Sequence, residues 1–344
     1  MSGRESALAE LNRLSASGSV GGGIKGDLRA FQRLYEHDDA WLIDQERFAI
    51  EKYGWFGRLA LSQGKDASDP DRKAVVKSAV RLLLSLVIFS MAFIAAFFIG
   101  LVLLAVAVVF RLKGRLRSKL EIPEKPGLSM LESFAIYITG LIVLPALVLL
   151  PIAGFIRIGA SILSIFFVIL AIFWPRIREV NWKEYRAAIG WQRGRGFFRE
   201  IGCGIIGYLA GLPLLAFALA IVLLLSRYTG VTPSHPLAEQ VNRDTFFLMF
   251  ILACVWAPVT EETFFRGMFF GYLRRRFSWV SAGIISALLF ALVHPQGLLG
   301  TPVLGVIGFT MSAIREWRGS LIASMSAHAL NNGSALLMLF MLLD

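Results

Sequence analysis

The run LLLSLVIFSMAFIAAFFIGLVLLAVAVVF, residues 82–110, carries no charged side chain in 29 consecutive positions. About 18 apolar residues already make a candidate membrane-spanning helix. The rest of the chain agrees with that reading. It is 56% apolar and 17% charged, whereas soluble chains hold roughly 45–50% and 25%. Seven further apolar segments follow, at about 132–155, 158–174, 201–226, 245–260 with a polar turn to Phe270, 279–293, 298–314 and 321–343. The predicted fold is all-α: a polytopic membrane protein with about eight transmembrane helices. Pro145 and Pro151 are expected to kink the second segment and Pro175 to end the third. Gly204, Gly207 and Gly211 predict a close helix–helix approach in the fourth.

Residues 1–77 read as a soluble, partly flexible N-terminal region, and 78–344 as the membrane domain. Phe31, Leu34, Trp41, Trp55 and Phe56 suit short amphipathic helices on a membrane surface. Ser62 to Asp71 reads as a linker, with Asp69-Pro70-Asp71 breaking structure. The first residues have no hydrophobic core, so no signal peptide is expected. Residues 176–200 predict an interfacial helix carrying Trp182, Tyr185, Ile189 and Trp191, ended by Arg193-Gly194-Arg195-Gly196. The formal net charge is +11, of which residues 1–81 hold only +1. The excess sits in short loops of the membrane part, which implies contact with anionic lipid headgroups. Nothing resembles a nucleic-acid recognition module. Four basic clusters (111–119, 176–199, 274–276, and Arg315 with Arg318) read as cytoplasmic, and together they conflict with Arg72, Lys73, Lys77 and Arg81 also being inside. The two cysteines, Cys203 and Cys254, lie in apolar segments and do not suggest a disulfide framework or a Cys-rich metal site.

Polar groups interrupt the apolar pattern in three places. Glu261-Glu262-Thr263-Phe264-Phe265-Arg266 brings three charges into a greasy segment, where an unpaired carboxylate is costly. Glu262 and Arg266, four apart, share a helix face and can pair. Glu261 has no such partner. Phe290 and His294 are also four apart, as are His328 and Asn332, and Asn332 is a ready partner for a buried His328. His37, beside Asp38 and Asp39, and His235, between Pro233 and Pro236, read as solvent-exposed. If Glu261, His294, His328 and Asn332 converge, a carboxylate with imidazoles can take a proton from water, and polar groups can hold an oxyanion. A second version places Zn²⁺ between Glu261, His294 and His328, with water in the open position. The same residues also suit a proton or cation pathway, so the residues alone leave enzyme and transporter open, with a membrane scaffold as a third reading.

The three motifs together carry a resemblance. Glu261-Glu262-x-x-x-Arg266, Phe290-x-x-x-His294 and His328-x-x-x-Asn332, in this order on successive apolar segments, resemble the CAAX-protease and bacteriocin-processing (CPBP, or Abi) family of intramembrane endopeptidases, similar to the type II CAAX prenyl endopeptidases. The resemblance covers roughly 176–343. It implies that Glu261 activates water with help from His294, that His328 and Asn332 polarise the scissile carbonyl and stabilise the oxyanion, and that Glu262 and Arg266 shape the site. It implies a peptide or protein substrate and a multi-pass location in the cell inner (plasma) membrane. The family is described both as metalloproteases and as metal-free glutamate enzymes, and the motif residues suit either.

Overall fold

Helices succeed one another along the whole described chain of the computed structural model, and among the described residues there is no strand. These residues are 3–16, 32, 43–62, 65–121, 127–148, 154–231 and 242–341; His37, His235, Pro151 and the aromatic positions 31 and 41 lie outside them. The chain divides into two compact units, Met1–Phe89 and Ser90–Leu343, with a boundary inside one long helix.

In the first unit, α1 (Gly3–Ala16), α2 (Ile43–Tyr53) and α3 (Trp55–Ser62) precede the start of α4 (Pro70–Leu112). Trp55 donates its indole N–H to Ser78 Oγ at 2.7 Å, while Phe56 is exposed. The Asp69-Pro70-Asp71 sequence starts α4 rather than interrupting the chain. Asp69 Oδ1 accepts from the backbone N–H of Asp71 at 2.8 Å and of Arg72 at 3.3 Å, and proline suits the first helical position because its missing N–H would have no partner there. The helix therefore begins a dozen residues before the apolar run. Its 43 residues span about 65 Å at 1.5 Å per residue, roughly twice the hydrocarbon thickness.

The second unit holds the remainder of α4 and then α5 (Gly127–Val148), α6 (Gly154–Ile177), α7 (Trp182–Ile189), α8 (Phe197–Thr229), α9 (Phe246–Leu273), α10 (Trp279–Leu292), α11 (Gly297–Arg318) and α12 (Leu321–Met341). Over its described residues, each predicted apolar segment is helical. By length and composition, four helices are apolar enough to cross a membrane: α4, α8, α9 and α11. Shorter apolar stretches occupy Gly127–Ile142, Leu163–Ile177 and Trp279–Leu292. Length and composition thus carry a polytopic membrane protein without fixing eight crossings. α6 runs past Pro175 to Ile177.

The predicted interfacial helix is shorter and more buried than expected. α7 has eight residues; Asn181 caps its start through Lys183 N–H, and Gly190, at φ 88°, ends it. Tyr185 and Ile189 are fully buried in the main core with Phe264, Phe265 and Met268. α7 is therefore a wedge whose inner face packs against α9 while Lys183, Glu184, Arg186 and Ala187 stay exposed. Gly267 admits it: a Cβ there would lie 3.0 Å from the Ile189 carbonyl oxygen. The glycines of α8 also serve close packing. A Cβ at Gly207 would strike Ile314 and one at Gly211 would strike Thr310, both on α11, while Gly204 abuts the backbone of Ala323 on α12.

Several arginines of the loop clusters are internal. Arg318 binds Glu200 through two bonds of 2.8 and 2.6 Å. Arg274 binds Glu316 at 2.9 and 3.0 Å. Arg315 is fully buried and donates to the carbonyls of Ala188 and Gly319. Paired or buried in this way, they tie helix ends together.

Candidate functional site

α9 is not a regular helix. It contains two π-helical stretches, Leu252–Trp256 and Glu262–Phe269. Single π turns inside α-helices concentrate at functional sites. Pro258 accounts for the first: its ring would clash with the carbonyl four residues back, and widening the turn sends the Ala257 N–H to Leu252 O instead. Pro258 itself has no N–H to offer Ala253 O. That carbonyl accepts from Asn332 Nδ2 of α12 at 2.8 Å.

The second π stretch begins at Glu262 and is buried throughout Glu262–Met268. Glu262 and Arg266 pair as expected, at 3.0 Å, with both side chains inaccessible. Arg266 has further anchors. Its Nη2 donates to Gly308 O of α11 at 3.0 Å, and its guanidinium lies 4.4 Å from the ring centroid of Phe290 on α10. A buried ion pair holds only when its remaining bonding capacity is met, and the carbonyl and the aromatic face contribute here.

The pair also reaches His328. Glu262 Oε1 accepts from His328 Nδ1 at 2.9 Å. Sequence spacing offers Asn332 as the partner of His328; the structure gives His328 to Glu262 and sends Asn332 to Ala253, with Asn331 Nδ2 donating to Asn332 Oδ1 at 3.2 Å. The reason is that the helix carrying both residues faces α9, and a partner on another helix leaves no trace in local spacing.

His294 comes just after the end of α10. Its Nδ1 lies 2.6 Å from Phe290 O. A carbonyl only accepts, so Nδ1 carries the proton, and in neutral His294 the lone pair is on Nε2. The same logic applies to His328, whose Nδ1 faces a carboxylate paired with arginine. Both Nε2 atoms approach one point: each is 3.7 Å from Glu261 Oε2. Glu261 keeps a partly open side chain, at 21% exposure, while His328 is at 4%. Its Oε2 is buried and makes no hydrogen bond within the described residues. Three acceptors thus face one another at a separation too long for a direct hydrogen bond. A water set off the line, at ~2.8 Å from its partners, answers that arrangement.

Zinc is the other expectation. One carboxylate and two imidazoles are suitable donor types, and both imidazoles have their second nitrogen engaged, as metal-binding histidines do. Among the described residues, however, no three His, Cys, Asp or Glu side chains are drawn together closely enough to hold a metal ion. The donors do not form a ready-made site.

The sequence motifs miss the contribution of α5. Phe134 stacks on Phe269 at 4.4 Å and meets Phe265 edge-on at 5.2 Å. Tyr137 stacks on Phe264 at 3.9 Å. Trp191, just after α7, donates to Thr263 Oγ1 at 2.9 Å. These aromatic contacts hold the π-helical stretch in place, and only their apolar character is visible in the sequence.

Comparison with known proteins converges on the same region. Residues 243–334 match the family model described as type II CAAX prenyl endopeptidase Rce1-like. An Escherichia coli protein described as an uncharacterized 24.3 kDa protein is 30% identical over 146 residues, covering 36% of this chain and 63% of that protein. The chain thus spans somewhat less than two thirds of that relative's length. No solved structure matches the chain. The matched segment contains α9, α10, α11 and the histidine-bearing half of α12, with all three polar motifs in order, and over this segment the chain is similar to the type II CAAX prenyl endopeptidase Rce1-like family.

Proposed function

We propose that this chain is an intramembrane endopeptidase that hydrolyses peptide bonds of membrane-associated or peptide substrates with a water activated by Glu261. The observation that carries the reading is the meeting of Glu261 Oε2 with the Nε2 atoms of His294 and His328, at 3.7 Å each, where the Glu261 and His294 side chains stay partly exposed. Glu261 accepts a proton from the water as its oxygen attacks the scissile carbonyl, and later delivers that proton to the departing amide nitrogen. His294, held by Phe290 O, accepts the water's other hydrogen and aims the lone pair. Glu262 accepts the Nδ1–H of His328 and fixes its ring, so the Nε2 lone pair of His328 also faces the water. Asn332 spends one N–H on Ala253 O and has a second for the developing oxyanion. Positioned acid–base groups contribute roughly 10²–10⁴-fold to such a reaction. The site would work in a multi-pass protein of the cell inner (plasma) membrane, amid anionic lipid headgroups.

Proteolysis of a mass-encoded peptide library by the purified protein, beside Glu261→Gln and with or without a chelator, tests this. Cleavage by the wild type and a loss of about 10³-fold in the variant are expected. Equal absence of cleavage in both, with folding verified, would overturn the reading and favour the transport alternative. Loss of activity in chelator would replace the ion-free mechanism with one in which Glu261, His294 and His328 bind a metal.

A further inference from the structure

One buried side chain packed on the turn after Glu261 carries a polar group that enters none of the hydrogen bonds of the site. Tyr137 of α5 is 5% exposed. Its ring lies parallel to Phe264, at 3.9 Å and 9°, and edge-on to Phe265 at 6.3 Å and 88°. Phe264 is three residues beyond Glu261, so the stack sets Tyr137 against the turn just past the proposed base. Among the described residues its hydroxyl makes no hydrogen bond, yet it is not one of the fully buried side-chain atoms left without a partner, so it keeps some accessible surface; a tyrosine O–H so placed usually finds a partner. A phenylalanine would make the same stack without a polar atom to satisfy.

The site has a matching deficit. Glu261 Oε2 and the two neutral imidazole Nε2 atoms are all acceptors. A water among them spends its hydrogens on two of them and leaves its oxygen unrestrained. An attacking water needs a donor on the oxygen side if one lone pair is to be held and the other presented to a carbonyl.

We propose that Tyr137 is a positioning residue of this site: its phenolic O–H donates to the water that Glu261 activates, supplying the one donor the carboxylate and the imidazoles lack. This rests on the hydrolase reading. It adds a residue from outside the three motifs, on a helix outside the matched segment.

The test compares wild type, Glu261→Gln, Tyr137→Phe and Tyr137→Leu on one peptide that the wild type cleaves. Tyr137→Phe is expected to lower kcat about tenfold, the value of one hydrogen bond, with KM within about twofold and an unchanged thermal midpoint. Tyr137→Leu should lose stability as well, because the stack goes with the hydroxyl. Wild-type kcat in Tyr137→Phe would overturn the proposal and leave Tyr137 as packing. A rise in KM at constant kcat, or a lowered midpoint in Tyr137→Phe, would also overturn it, by assigning the hydroxyl to substrate binding or to the fold. Absence of cleavage by the wild type, indistinguishable from Glu261→Gln, would defeat the hydrolase reading itself; that pattern cannot be confused with an active wild type and an equally active Tyr137→Phe.

Discussion

α4 and α9 are both long, apolar helices, and they solve opposite problems. α4 has no charge in residues 82–110, and its most apolar window is only 6% buried. Its side chains, Leu83, Ile88, Ile94 and Val102 among them, face outward. α9 is the less hydropathic of the two, is broken by two π-helical stretches, and buries Glu262 and Arg266 completely. In lipid, an apolar side chain on α4 gains little from a protein neighbour, because hydrocarbon surrounds it either way. A charge on α9 has no such alternative and is tolerable only with partners at hand. Positions should therefore be sensitive in proportion to the polar bonds they carry rather than to their hydrophobicity.

The largest effect is expected from Arg266→Leu, which strands Glu262 without its guanidinium. Removing one partner of a buried pair costs about 3–5 kcal/mol, and unfolding in mixed micelles should show a loss of that size. The double replacement Glu262→Leu with Arg266→Leu should recover part of it. A double variant as weak as the single would show that the pair is not the unit that matters. An intermediate effect is expected from Asn332→Leu, which leaves Ala253 O unpaired, at about 1–3 kcal/mol. Pro258→Ala should restore some of this stability by returning an N–H to α9; calorimetry on the two singles and the double would detect the coupling, and strict additivity would remove Pro258 as the cause of the first π stretch. The smallest effect is expected at Ile94→Ala on α4. An exposed apolar position of this kind should change stability by no more than about 0.5 kcal/mol, and a larger loss in the same micelle assay would mean that α4 has a protein partner on that face.

How far the sequence reveals this molecule depends on whether an interaction is local. The glutamate–arginine pair is legible from its four-residue spacing, and it survives although the helix there is π rather than α. The helical character of all eight apolar segments is legible from their length. The meeting of Glu261 with His294 and His328 is an expectation that three isolated polar groups in apolar runs make reasonable, and the distances support it. The start of α4 is easily misread although its signal is present: Asp-Pro suits a break and a cap equally, and only the helix-forming residues beyond it decide. The partners of His328 and Asn332 escape local spacing because they sit on another helix. The α7 wedge escapes it because Trp and Tyr suit a headgroup layer and a buried core alike. Tyr137 leaves no motif at all; its place is fixed by stacking on Phe264 across helices.

Arg266 has a mechanical meaning beyond its charge. Its three anchors, Glu262 Oε1, Gly308 O and the Phe290 ring, belong to three different helices, and the guanidinium works as a rivet through α9, α11 and α10. Sliding any of the three against the others would shear a contact in a place where no solvent can fill in. On the proposed hydrolase reading, a peptide reaching Glu261 would enter by displacing parts that do not share this fastening.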